Sequence, residues 1–288
     1  MNIKTIAVLG AGTMGRGIVQ AFAQNGFPVI FYARREAGVK EGYDYIVDIL
    51  ASLVKKGKLS EADRQATLDR ITITTKLEDV APADLVVESI AENLEVKQDM
   101  MRKLEGICRP DAILASNTSS ISISAIASAI GTPERVCGMH FFYPPAMMPV
   151  IEIAVARKTK PEAVQAVKEM VSAIQKTAIE VQEAPGFVFN RLTIPQINEA
   201  AYLLMEGVAT REDIDAMLKL ASSHKIGPLE LGDIIGLDVC LSIMEVLQKE
   251  LGEDKYRPCP LIRRMVYANE LGRKTGKGFY EYPAKKAD

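Results

Sequence analysis

The sequence predicts an α/β protein in which a doubly wound, mostly parallel sheet is followed by an all-helical C-terminal domain. Short apolar runs alternate with helical stretches as far as Ala184, and strand patterns nearly vanish beyond it. A glycine-rich segment joins the first apolar run to the first helix. Since strands that alternate with helices form parallel sheets covered on both faces, these three observations agree on one architecture.

The predicted strands of the first domain are short, apolar and rich in β-branched residues, which is typical of buried parallel strands. They cover residues 6–9, 29–32, 71–74, 85–87, 112–115, 136–140, 150–155 and 178–181. The first predicted helix covers residues 14–25, with Gly26 at its C-terminal end. Ser60 is expected to cap a helix over 61–68, and Thr159 with Glu162 predicts a capping box on a later helix.

A domain boundary is predicted between Ala184 and Pro185, giving a dinucleotide-binding domain over 1–184 and a helical domain over 185–288. Two apolar stripes follow the boundary: Ile194, Ile197, Ala201 and Leu204, then Ile234, Leu237, Leu241 and Met244. They predict either self-association as a homodimer or packing of the two domains on each other. We expect the helical domain to contribute to the substrate cleft and to dimerisation.

Composition excludes several classes of protein. The 288 residues have a formal net charge of −2, whereas nucleic-acid binders usually have a basic face. The cysteines have no CxxC or metal-ligand spacing and are expected to be reduced thiols; they are Cys108, Cys137, Cys240 and Cys259. The first apolar run is too short for a signal peptide, and no apolar segment is long enough to span a membrane. We therefore expect a cytoplasmic protein that binds no metal, nucleic acid or membrane.

The glycine-rich segment reads GAGTMG, in which Thr13 and Met14 lie between Gly12 and Gly15. Because it directly follows a predicted strand and begins a helix, it predicts a Rossmann-type dinucleotide site. Gly10 permits the tight turn, Gly12 lets the backbone approach a pyrophosphate, and Gly15 allows close helix–strand packing. The N-terminus of the helix would then bind the phosphates.

The end of the second strand predicts which dinucleotide binds. NAD sites of this type normally have an acidic residue there, but this chain has Ala33, Arg34 and Arg35. Two guanidinium groups suit a 2′-phosphate, which favours NADP over NAD. Alternatively, Arg34 and Arg35 are solvated and NAD binds regardless.

His140 is one of two histidines and ends a predicted strand, at the sheet edge where ligands of such folds bind. Glu152 follows on the next strand, after a proline-rich turn that could bring its carboxylate against the imidazole. A lone His is more often structural, but the edge position and the nearby carboxylate favour a catalytic role for His140.

Seven segments in order resemble the 3-hydroxyacyl-CoA dehydrogenase family, most closely its short bacterial 3-hydroxybutyryl-CoA members. They are AVLGAGTMGRGI from Ala7, ESIAENLEVK from Glu88, ASNTSS from Ala115, GMHFF from Gly138, APGFVFNR from Ala184, GPLELGDIIGLDV from Gly227 and GRKTGKGFYEY from Gly272. The resemblance covers essentially the whole chain.

The resemblance implies an oxidoreductase that interconverts (S)-3-hydroxybutyryl-CoA and acetoacetyl-CoA with NAD(P)(H), in fatty acid or butyrate metabolism. His140 would be the general acid/base, Glu152 would orient it, and Ser119 and Asn190 would hydrogen-bond the substrate oxygens. The positions that match cofactor-lining residues are Ala91, Glu92, Lys97 and Asn117. Lys56 would contact phosphates of coenzyme A.

Two residues depart from the family pattern: Tyr143 stands for the Asn of HFFNP, and Pro149 stands where a Lys is usual. Both lie between His140 and Glu152, so the acyl-chain preference stays open. One alternative is a related dehydrogenase of a free hydroxy acid, such as a sugar acid or carnitine. An alternative of another class is a non-catalytic dinucleotide-binding protein.

Overall fold

Eight strands form one sheet in the computed structural model, which describes residues 3–283. The strands are β1 (Ile6–Leu9), β2 (Val29–Tyr32), β3 (Ile71–Thr74), β4 (Leu85–Glu88), β5 (Ile113–Ser116), β6 (Val136–Phe141), β7 (Val150–Val155) and β8 (Thr177–Gln182). Their spatial order is β3-β2-β1-β4-β5-β6-β7-β8. The first six strands are parallel, in the order of a doubly wound dinucleotide-binding sheet.

Two further strands extend this sheet beyond β6. β7 is antiparallel to β6, and β8 is parallel to β7. The predicted mostly parallel sheet is therefore confirmed, with one antiparallel junction. The register of that junction pairs His140 of β6 directly with Glu152 of β7. Since paired residues point their side chains to the same face, the backbone itself brings these two side chains together.

The helices of this unit connect its strands. They are α1 (Thr13–Gln24), α2 (Glu36–Lys55), α3 (Glu61–Leu68), α4 (Leu94–Ile107), α5 (Ile123–Ala127) and α6 (Pro161–Ala173). Because crossovers between parallel strands are right-handed, helices that follow β1 and helices that follow β4 cover opposite faces. All four residues of β1 are fully buried as a result, which explains why the strand is apolar throughout.

Two of three predicted helix ends are confirmed. Ser60 caps α3 by accepting a hydrogen bond from the Asp63 backbone N–H, and Gly26 follows the C-cap of α1 with φ of +93°. The capping box at Thr159 is wrong, because α6 begins later, after Lys160, with Pro161 in its first turn. The Thr159 hydroxyl instead donates to the Val136 carbonyl, at 2.6 Å.

The chain divides at the Ala184–Pro185 bond into two compact units. In the described part of the second unit we find five α-helices: α7 (Phe189–Met205), α8 (Arg211–Ala221), α9 (Pro228–Ile235), α10 (Leu237–Leu251) and α11 (Pro260–Tyr267). The first predicted stripe packs into the core of this unit. The second is wrong as a single helical face, because Gly236, with φ of +102°, separates α9 from α10.

Candidate active site at the carboxyl edge of the sheet

The carboxyl ends of β1, β2, β4, β5 and β6 lie along one edge of the sheet, because these strands are parallel. The chain leaves β1 toward β2 on one side and later leaves β4 toward β5 on the other. A crevice opens outside the carboxyl ends where the strand order reverses, and ligands of open α/β sheets bind there.

The glycine loop between β1 and α1 is closely packed on one side and open on the other. Gly10 has φ of +108°, and a Cβ there would lie 2.3 Å from the Ser89 carbonyl oxygen. A Cβ on Gly15 would lie 1.8 Å from the Gly10 carbonyl oxygen. In contrast, a Cβ on Gly12 would meet nothing within 4 Å. The loop therefore accepts only glycine at two positions and presents an open backbone at the third.

The first turn of α1 can bind an anion. Gly12 is its N-cap and supplies no side-chain hydrogen bond to the backbone N–H groups of the turn. Thr13 is exposed, and Met14 is half-buried against the core of the sheet. Since a helix N-terminus has a partial positive charge and unpaired N–H groups, this loop has the chemistry of a pyrophosphate site.

The end of β2 has no carboxylate at the position after the strand. Ala33 is buried there, and its backbone N–H donates to the Thr74 carbonyl at 3.2 Å. Arg34 and Arg35 are both exposed, and Arg35 is the N-cap of α2. Arg34 and Arg35 therefore follow β2 directly at the carboxyl edge of the sheet, where both are open to solvent.

A network of charged and hydroxyl side chains joins the ends of β4 and β5. The Lys97 ammonium group, only 1 % exposed, lies 2.8 Å from Glu88 Oε1 and 3.2 Å from Glu92 Oε2. Burial raises the pKa of the Glu92 carboxyl, but the Lys97 charge and hydrogen bonds from Thr118 and Ser120 outweigh burial and lower it below its usual range. Glu92 is therefore an ionised carboxylate with 41 % of its side chain exposed.

Sequence reasoning missed Glu88 in this network. It is fully buried at the last position of β4, where the Ser116 hydroxyl donates to its Oε2 at 2.7 Å. A possible signal was present: a carboxylate ends an otherwise apolar strand, nine positions before a lysine on the next helix.

Asn117 bridges three strand ends. Its side-chain amide donates to Ser89 Oγ at 3.2 Å, and its side-chain oxygen accepts from the Phe141 backbone N–H at 2.9 Å. The Ser119 backbone N–H donates to Glu92 Oε1 at 3.2 Å. Ala91 is exposed in the same region, so the predicted residues after β4 and β5 do lie together.

His140 and Glu152 form a buried pair. The distance between His140 Nδ1 and Glu152 Oε2 is 2.8 Å, and the side chains are 8 % and 4 % exposed. The Phe142 ring lies 4.7 Å from the imidazole ring centre. Because an ionised carboxylate only accepts hydrogen bonds, this contact favours the imidazole tautomer with its proton on Nδ1. The sequence prediction that the turn brings these groups together is confirmed.

The two remaining predicted residues are Asn190 and Lys56. Asn190 is buried in the first turn of α7, in the second unit. Lys56 is exposed at the C-terminal end of α2. Within residues 3–283 no group of three acidic, His or Cys side chains is arranged to hold a metal ion. Across the same residues no helix is both long and apolar enough for a membrane span.

Two family descriptions match consecutive parts of the chain, one in each unit. "3-hydroxyacyl-CoA dehydrogenase, NAD binding domain" matches residues 5–184, and "3-hydroxyacyl-CoA dehydrogenase, C-terminal domain" matches residues 186–282. The chain belongs to the 3-hydroxyacyl-CoA dehydrogenase family. The resemblance found in the sequence is thereby confirmed, and so is the oxidoreductase class with a dinucleotide-binding domain.

Individual members of the family are similar over nearly their full length. A probable 3-hydroxybutyryl-CoA dehydrogenase of Bacillus subtilis is 47 % identical over 99 % of both chains. The 3-hydroxybutyryl-CoA dehydrogenase of Clostridioides difficile is 44 % identical over 96 % of this chain and 99 % of its own. The crystal structure of (S)-3-hydroxybutyryl-CoA dehydrogenase from Ralstonia eutropha is 43 % identical with a TM-score of 0.93, covering 98 % of this chain and 99 % of that one.

Proposed function

We propose that this family member interconverts (S)-3-hydroxybutyryl-CoA and acetoacetyl-CoA by hydride transfer with a nicotinamide dinucleotide. The observation that supports this most strongly is the buried His140–Glu152 pair, because it lies at the same sheet edge as the glycine loop. The similar proteins of Bacillus subtilis, Clostridioides difficile and Ralstonia eutropha bear the same activity in their names.

The residues of the glycine loop fit a dinucleotide. Gly12 has open space where a Cβ would be, so a pyrophosphate can approach the backbone of the loop. The uncapped first turn of α1 offers N–H groups to its charge. When bound, the nicotinamide supplies or accepts the hydride at C3 of the substrate.

His140 is the proton-transfer group in this proposal. In the oxidation direction it takes the proton of the 3-hydroxyl group, and in reduction its imidazolium returns a proton to the ketone oxygen. Glu152 holds Nδ1 and stabilises the imidazolium, so Nε2 is the nitrogen that exchanges the proton. Since both side chains are buried, the attraction between them is screened little by water.

Neutral polar groups hold the substrate oxygens. We assign this role to Ser119 and Asn190, which can polarise a carbonyl without competing for the proton. Ala91, Glu92 and Asn117 line the ribose and nicotinamide end of the cofactor. Glu92 suits this role best, because it is ionised and partly exposed and can accept ribose hydroxyl groups.

The cofactor preference is proposed to be NADP(H) over NAD(H). The exposed Arg34 and Arg35, with Ala33 in place of an acidic residue, would pair with a 2′-phosphate. Arg34→Ala/Arg35→Ala should then raise KM for NADPH by about tenfold or more and leave KM for NADH unchanged. An equal effect on both cofactors, or a tenfold preference of the parent for NADH, would assign the pair to a solvated loop.

A free hydroxy acid remains the second candidate substrate, because Tyr143 is 56 % exposed and replaces the family's Asn beside the catalytic pair.

In the favoured proposal, Lys56 contacts phosphates of coenzyme A, since it is an exposed cation at the end of α2. A Lys56→Ala variant should therefore raise KM for acetoacetyl-CoA. Lys58→Ala, at an exposed position two residues further along the chain, serves as the matched control and should leave that KM unchanged.

The direct test is a steady-state assay of acetoacetyl-CoA reduction, run with NADH and with NADPH, beside gulonate and carnitine oxidation. Saturable turnover of acetoacetyl-CoA alone is the expected result. Turnover of a free hydroxy acid alone would establish the second candidate. Cofactor binding without any turnover would favour a non-catalytic dinucleotide-binding protein.

The assembly and compartment are proposed from surfaces and thiols. Large apolar side chains are exposed in the second unit, among them Leu192, Leu220 and Tyr267 at 71 %, 84 % and 81 %. We propose that they contribute to a homodimer, which light scattering of the purified chain would test. The four described cysteines are buried free thiols, which fits a reducing cytoplasm.

A further inference from the structure

The core of the sheet contains a carboxylate that the proposed mechanism does not use. Glu88 ends the central strand β4 and is 0 % exposed. A buried carboxylate is costly unless it is paired and hydrogen-bonded. Three donors surround this one: Lys97 Nζ and the Ile90 backbone N–H lie 2.8 and 2.7 Å from Oε1, and Ser116 Oγ lies 2.7 Å from Oε2. Glu88 therefore ties β4 to both α4 and β5.

Lys97 extends these contacts toward the surface. Its ammonium group is held between the buried Glu88 and the partly exposed Glu92. With 1 % exposure, Lys97 offers almost no surface to a ligand, so its charge acts chiefly through Glu92. One carboxylate thus fixes the lysine, and the lysine fixes a second carboxylate that solvent and ligands can reach.

Glu92 in turn organises the loop that follows β5. Its Oε1 accepts hydrogen bonds from Thr118 Oγ1, from the Ser119 backbone N–H and from Ser120 Oγ. Its Oε2 faces Lys97. Lys97 therefore connects the buried Glu88 carboxylate to the Glu92 carboxylate, which in turn contacts residues 118–120.

We propose that Glu88 is a positioning residue for the cofactor and substrate site: it fixes Lys97, which orients the Glu92 carboxylate and the 118–120 loop for binding. The inference rests on the proposed role of Glu92 at the cofactor ribose. It predicts that removing the negative charge of Glu88 weakens cofactor binding, although Glu88 itself contacts no ligand.

The test combines Glu88→Gln, Lys97→Met and the double variant, with binding of NADH and NADPH followed by cofactor fluorescence. The chain has no Trp that would transfer energy to the reduced nicotinamide. Glu88→Gln keeps the size of the side chain and should raise the Kd by about tenfold. The double variant leaves no unpaired charge in the core, so its melting temperature should exceed that of Lys97→Met while its affinity stays low.

Arg135→Met is the matched control. Arg135 is also a buried cation of this unit, but it precedes β6 at the amino edge of the sheet and donates to the Arg109 and Ala112 carbonyls. This variant should lower the melting temperature and leave the Kd unchanged. Two results would show that Glu88 only stabilises the fold. One is a Kd of Glu88→Gln equal to that of the parent. The other is a double variant in which both the Kd and the melting temperature return toward the parent values.

Amide hydrogen exchange provides a second measurement that needs no ligand. The Ser119 backbone N–H donates a hydrogen bond to Glu92. Glu88→Gln should therefore speed hydrogen exchange at this N–H, and Arg135→Met should not. Unchanged exchange at Ser119 would overturn the positioning role. If the parent bound neither dinucleotide, the proposed function would fail, and the exchange result would still decide whether Glu88 positions the loop.

Discussion

Glu152→Gln removes one charge from the His140–Glu152 pair and keeps the shape of the side chain. The His140–Glu152 contact is 2.8 Å long and both side chains are almost completely buried. A hydrogen bond to a charged group contributes about 1.5–3 kcal/mol, and burial favours the upper part of this range. Because the imidazolium forms during proton transfer, a loss of about 2.5 kcal/mol would fall on the transition state and lower kcat roughly 70-fold.

The assay is steady-state oxidation of (S)-3-hydroxybutyryl-CoA, the direction in which the imidazolium forms, followed by gain of reduced-nicotinamide absorbance below the melting temperature of the variant. KM should change by less than about threefold, since the ground state gains little from the charge. Glu180→Gln on β8 is the control, because Glu180 pairs with Lys168 at the exposed surface, where such pairs contribute little. A Glu152→Gln kcat within about threefold of the parent's would refute the role of the carboxylate.

Two further perturbations test the cofactor edge. Gly15→Ala places a Cβ 1.8 Å from the Gly10 carbonyl oxygen, so the loop must move and the Kd for the dinucleotide should rise about tenfold or more, whereas Gly38→Ala, which meets nothing within 4 Å, should not change it. Burial raises the pKa of Glu92, but the opposing effect of Lys97 and the hydroxyl groups of Thr118 and Ser120 is larger and brings the pKa below its usual 4.5. Ionised Glu92 thus stabilises the fold above that pH, and the contribution is lost as the pH falls through the lowered pKa. Thermal melts of Glu92→Gln should therefore differ from the parent at about pH 7 and approach it progressively as the pH falls below 4.5, and a pH-independent difference would contradict this.

The strands were predictable from apolar and β-branched runs. β1 and β2 have the predicted bounds, because parallel strands inside a sheet covered on both faces need apolar residues at nearly every position. β3 and β7 also have the predicted bounds, although β3 is an edge strand with Ile73 exposed, since β-branched residues favour strands there as well. The prediction for β4 ended one residue early, at Val87, since Glu88 breaks the apolar run. Its charge is compatible with the core only because Lys97 and Ser116 meet it there, and both come from other elements.

The local errors have local causes. Thr159 and Glu162 have capping-box spacing, but Pro161 is favoured in the first turn of a helix and fixes a later start. The Thr159 hydroxyl instead donates a hydrogen bond to the carbonyl of Val136, the first residue of β6. This contact joins separate segments, so no local sequence pattern reveals it. The apolar spacing from Ile234 to Met244 continues through Gly236, whose positive φ ends one helix before the next begins.

The contact between His140 and Glu152 could be predicted because strand order and the turn between the two strands constrain it strongly. Register pairs His140 with Glu152, so two residues twelve positions apart meet through backbone geometry alone. The relation of Glu88, Lys97 and Glu92 was less accessible. Each is recognisable as a charged residue, but only tertiary packing decides that the lysine is buried between the two carboxylates.

The most direct measurement is the turnover number of His140→Gln for acetoacetyl-CoA, taken together with its dinucleotide affinity. If His140 transfers the proton, kcat falls by on the order of 10²–10⁴-fold while the Kd for the cofactor stays at the parent value. A variant that turns over acetoacetyl-CoA at the parent rate would contradict the assignment of His140 as the acid/base group.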